Sequence, residues 1–91
     1  MTSNLGQPEY MGNEVQIDSA LMLIAGKTYR NIEELRIFNP DPRAGVGAII
    51  PENSLMKIEG RVGNMTRIFI NGVTLYIDDM HMPVPMKLLE Q

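Results

Sequence analysis

Hydrophobic and polar positions along the chain follow two different rhythms. Residues 14–17, "EVQI", alternate polar and apolar, the period-two pattern of a half-buried strand. Beyond them Leu21, Ile24 and Ala25 fall at i, i+3 and i+4, with Met22 on the flank. That spacing predicts a helix capped by Asp18 or Ser19 and ended at a left-handed Gly26. Asn31 followed three residues later by Glu34 has the form of a capping box. A second helix is expected after it, its apolar face supplied by Ile32, Leu35 and Ile37 or Phe38, and stopped by Pro40 and Pro42.

After residue 40 the helical rhythm is lost. Residues 41–53, "DPRAGVGAIIPEN", have the composition of a loop, pinned by Val46, Ile49 and Ile50. "SLMKIE" predicts a strand with Leu55 facing inward. The clearest local signal is "MTRIFINGVTLYID": Asn71-Gly72 suits a type I′ turn, where both central residues take positive φ. Counting back from that turn pairs Ile70 with Val73, Ile68 with Leu75 and Thr66 with Ile77. On the other face Phe69 pairs with Thr74 and Arg67 with Tyr76. The tail "DMHMPVPMKLLEQ", with its two prolines, is expected to run extended, either as an arm or as an extra strand on the domain itself.

These elements predict an α+β fold. A β-α-α-β unit spans residues 14–59 and a β-hairpin at 60–78 packs on the same core. Arms occupy 1–13 and 79–91. A small β-barrel with the helical segment as a crossover is the alternative. The expected core brings together Leu21, Ile24, Leu35, Leu55, Ile68 and Leu75.

Composition narrows the functions. The chain has 91 residues, enough for one domain with a modest core and little room for an enclosed active site. Its net charge of −3 is scattered, and no basic stripe exists to neutralise phosphates, so nucleic acid is not an expected partner. The absence of cysteine excludes disulfides and thiolate metal sites. No stretch approaches the ~20 apolar residues of a membrane helix. The first residues have neither a basic start nor an apolar run, so no secretory signal is read there and a cytoplasmic or virion location is expected.

Three segments, "DSALMLIA", "EELRIFNP" and "IIPENSLMKI", resemble the LysM domain, in which a Gly-Asp-Thr-Leu start, a Glu-Leu pair before Asn-Pro and a Pro-Gly-x-x-Leu-x-Ile strand recur. Leu21, Ile24, Ala25, Glu34, Leu35, Asn39, Pro40, Pro51 and Leu55 carry the resemblance, which covers about half the chain. It implies a shallow groove for N-acetylglucosamine polymers formed by Asp18, Ser19, Ala20, Leu21, Asn39, Pro40, Asp41, Ile49 and Ile50. Here Asp18-Ser19-Ala20 replaces the family's Gly-Asp-Thr, removing a permissive glycine and a threonine hydroxyl. A weakened sugar site is therefore expected.

Other chemistry has little support. "AGKT" lacks the leading glycine of a phosphate loop, because Leu21 stands there. "DDMHM" contains ligand types, but with a single histidine and no second cluster no metal or cofactor is expected. His81 has no Ser or Cys arrangement beside it that would imply nucleophilic catalysis, so no catalytic residue is assigned and the chain is not expected to be an enzyme. The favoured reading is a non-catalytic structural or adaptor protein within a larger assembly, such as a phage tail, baseplate or neck. Its partner contacts are assigned to Met80, Met82, Val84, Met86, Leu88 and Leu89. The alternative is a peptidoglycan- or chitin-binding module.

Overall fold

A computed structural model describes residues 13–38, 43 and 45–91. Its eight strands are β1 (Asn13–Ile17), β2 (Thr28–Asn31), β3 (Leu35–Phe38), β4 (Val46–Ile50), β5 (Leu55–Val62), β6 (Met65–Ile70), β7 (Val73–Asp78) and β8 (Met86–Glu90). Six form one sheet in the order β1-β8-β2-β5-β6-β7, every neighbour antiparallel, while β3 and β4 pair as a separate ribbon. The only helical elements among the described residues are single 3-10 turns at Ala20–Met22 and Asp79–His81. The expected α+β fold is therefore wrong: this is a small β domain.

Both expected helices fail for identifiable reasons. The segment from Leu21 to Ala25 is apolar almost throughout, so spacing alone could not fix which side faces in. Ser19 does cap it, its Oγ accepting from the Leu21 N–H at 3.2 Å, but only a single 3-10 turn follows. The chain is then drawn into the sheet, where the Gly26 N–H donates to Ile58 O at 2.7 Å and the Ile58 N–H donates to Lys27 O at 2.9 Å. Leu23 faces the core instead, leaving Leu21 70% and Ile24 51% exposed. In the second segment Leu35 and Ile37 are buried while Arg36 and Phe38 are exposed, a period of two rather than 3.6. The few residues between Asn31 and Asn39 cannot meet the cost of nucleating a helix, whereas their β-branched and aromatic members suit a strand.

Asn31 caps no helix either. Its side chain is fully buried, and its Nδ2 donates to Glu33 O and Pro51 O, each at 2.8 Å. With the Asn31 N–H donating to Ser54 O at 3.2 Å and Asn31 O accepting from the Asn53 N–H at 2.9 Å, it clamps the end of β2 to the turn before β5.

The hairpin forms as its sequence predicts. Every expected pair from Ile70–Val73 to Thr66–Ile77 is present, and Asn71 and Gly72 have φ of 51° and 81°. On β5 the phase is opposite to expectation: Met56 and Ile58 point inward and Leu55 is 45% exposed. A bulge between Ile58 and Gly60 then shifts the register, and Gly60, at φ 152°, occupies backbone space that side chains disfavour.

The tail is structural. Met86–Glu90 forms β8, which sits between β1 and β2, so it is not the free extended arm that was one of the two expectations. Met86 and Leu88 lie in the core beside Ile17, Tyr29, Met56, Ile58, Ile68, Ile70 and Ile77, and Leu35, Ile37 and Ile50 of the ribbon pack onto the same cluster. Of the six residues expected at the centre, Leu35 and Ile68 are buried and Leu75 packs partly against them, while Leu21, Ile24 and Leu55 face outward. The void left between ribbon and sheet is about 10 Å³, no larger than one water.

Candidate functional site

The six-stranded sheet ends on one side at β1 and on the other at β7. β1 carries Glu14 and Gln16 on one face. Strand β7, "VTLYID", has neither lysine nor proline and pairs with β6 without any register shift. Natural sheets usually protect a long flat edge with such residues or with a bulge. Among the described residues, β6 is the only strand that pairs with β7.

The turn fixes which backbone groups this edge offers. In a ladder closed by a two-residue turn, the flanking pair Ile70 and Val73 exchanges hydrogen bonds and the pattern then alternates. Thr74 and Tyr76 occupy the non-bonded positions, so their N–H and C=O groups point away from β6 to the side where no other described strand pairs. Val73 is 54% and Tyr76 53% exposed, giving the edge apolar surface as well as backbone donors and acceptors.

A groove of about 300 Å³ runs beside this edge. One wall is the ribbon, with Ile37, Phe38 and Ala48, and the other is β7, with Leu75 and Ile77. Asp78 and His81 add polar groups. The 3-10 turn that carries His81 is held from both sides. Asp78 Oδ1 accepts from the Met80 N–H at 2.9 Å, and the Asp79 N–H donates to Asn64 O at 2.9 Å. Arg61 donates to both oxygens of Asp79, at 3.1 and 2.5 Å, and to Thr66 Oγ1 at 3.2 Å. The hydrogen bond to Asp79 raises the Arg61 pKa above its ordinary value despite some opposing desolvation, and the carboxylate charge adds to the rise. The guanidinium therefore remains a fixed cation that ties this turn to the β5–β6 hairpin. His81 Nδ1 is buried without a hydrogen-bond partner, since Asp78 Oδ1 lies 3.9 Å away, beyond bonding reach. Among the described residues no group of three His, Asp or Glu side chains could hold a metal ion.

The described sugar-site residues implied by the LysM resemblance do not line this groove. Asp18, Ser19 and Leu21 are exposed on the β1–β2 connection, Ala20 is buried, and Ile49 is exposed beside the buried Ile50 on β4. Asn39, Pro40 and Asp41 lie outside the described residues. Of the residues assigned to partner contacts, Met82, Met86, Leu88 and Leu89 are buried and Val84 is partly buried, leaving only Met80 fully open. Contacts through these residues require the tail to be a free arm, whereas as strand β8 most of its apolar side chains are already occupied in the core. Sequence reasoning did find the β6–β7 hairpin, but that β7 is an edge follows from the order of the strands, which no local pattern encodes. No protein-family model, curated protein or solved structure matches the chain.

Proposed function

We propose that this chain is a non-catalytic protein whose role is to make protein–protein contacts within a larger assembly. The observation that carries the reading is the edge of β7, which pairs with β6 alone among the described residues, turns the backbone groups of Thr74 and Tyr76 away from it and carries exposed apolar side chains at Val73 and Tyr76. Such an edge is a hazard for an isolated domain and an asset for one that pairs with something else. Met80, which is 88% exposed and adjoins the same strand, extends the apolar surface. A virion structure such as a tail, baseplate or neck is one setting that suits a small adaptor of this kind.

Site-directed photocrosslinking tests the reading. Benzoylphenylalanine is placed at Tyr76 and, as a control, at the exposed Lys87 of β8, in cells that make the protein. Discrete protein adducts at Tyr76 and none at Lys87 are expected. Equal or absent adducts at both positions would refute it.

A further inference from the structure

Resting on that interaction reading, we propose that the β7 edge and its groove receive an extended peptide strand that carries an apolar anchor and a basic residue three positions before it. The occupant follows from what each part of the site can accept. The N–H and C=O groups of Thr74 and Tyr76 point away from β6 and meet no other strand among the described residues, and another extended backbone satisfies them, as in strand addition to other sheet edges. An antiparallel strand laid on β7 would direct alternate side chains into the groove, between Ile37, Phe38 and Ala48 on one wall and Leu75 on the other.

A second copy of this chain fits poorly. Its own β7 would offer Val73, Leu75 and Ile77 on the groove side, but Ile77 is 3% exposed in its own core and Leu75 packs against that core as well. Neither is free to fill a groove of about 300 Å³ in a neighbour. A foreign strand with an uncommitted leucine or similar side chain is. The carboxylate of Asp78 stands at the end of β7. Because the peptide runs antiparallel, the residue opposite Asp78 precedes by three the residue opposite Leu75. A lysine or arginine there meets the carboxylate, and an acidic residue there is repelled.

The probe is a fluorescein-labelled octapeptide of threonine and valine with one arginine and, three residues on, one leucine. Fluorescence anisotropy is expected to give saturable binding with a dissociation constant below about 1 mM. Replacing the arginine by glutamate, or the leucine by threonine, should weaken it about tenfold, a loss of about 1.4 kcal/mol. Asp78→Asn retains an oxygen for the Met80 N–H and should abolish the preference for arginine over glutamate.

Thr74→Pro is the decisive variant, since the N–H that it deletes is not bonded to β6. It should keep the wild-type melting temperature and lose the peptide. Undiminished binding by a folded Thr74→Pro variant would overturn the proposal, as would a sedimenting dimer that excludes the peptide. Crosslinks at Tyr76 with no affinity for any of the peptides would overturn this occupant while sparing the interaction reading. Absence of both would remove the two together.

Discussion

Asn31 offers the sharpest test of how this fold is held together. Its side chain is fully buried, and its amide nitrogen donates to Glu33 O and Pro51 O while Oδ1 has no partner. Both neighbours are acceptors, so the nitrogen must face them. Asn31→Ala deletes two hydrogen bonds, worth about 0.5–1.5 kcal/mol each. Pro51 O keeps Ser54 Oγ at 2.7 Å, so that carbonyl is not orphaned. The expected loss is therefore about 1–3 kcal/mol.

Asn31→Asp preserves the shape but turns a carboxylate toward two carbonyl oxygens in a buried site. Burial and repulsion raise that carboxyl's pKa in the folded state above its unfolded value. The neutral form is then the one that the fold tolerates, and it donates one hydrogen bond. A group with a raised folded pKa contributes stability below its unfolded pKa that is lost as pH rises through the folded one. Relative to wild type, N31D should thus be worse than N31A at pH 7 and should recover part of the deficit at pH 4.5. Urea melts of the three proteins at both pH values measure this. An N31D penalty unchanged between the two pH values, or an N31A variant as stable as wild type, would show that the amide does not clamp β2 to the turn before β5.

Leu88, fully buried on the interior strand β8, should cost about 2–5 kcal/mol when replaced by alanine, read from the shift of the urea midpoint at constant slope. Deleting residues 82–91 removes that strand from between β1 and β2, and circular dichroism should then show an unfolded chain. On β7, Leu75→Pro deletes an N–H that bonds to β6 and should lower the melting temperature sharply, whereas Thr74→Pro should not. Equal melting temperatures for the two variants would mean that the hydrogen-bond phase is misassigned. Isothermal titration with a hexamer of N-acetylglucosamine should give no micromolar binding, because the sugar-site residues that are described here are divided between exposed and buried positions.

The sequence alone determined what depends on near neighbours. Asn71-Gly72 set the β6–β7 turn, and a two-residue turn leaves only one register, so all the pairs from Ile70–Val73 to Thr66–Ile77 were legible. The alternation in Glu14–Ile17 likewise marked β1. Tertiary structure decided everything that depends on a distant partner. Residues 21–25 are apolar on all sides, and it was the bonds between residues 26–27 and Ile58 that set Leu23 in and turned Leu21 and Ile24 out. Leu35 and Ile37 satisfy a helix or a strand equally well over so short a run, until pairing with Ile50 and Ala48 selects the strand. The tail's Met86, Leu88 and Leu89 could serve an arm or a core. Their insertion between β1 and β2 joins residues more than fifty positions apart, a pairing that no local pattern specifies. The edge at β7 is the remainder of that same ordering, because a strand is an edge only once every other strand has found its place.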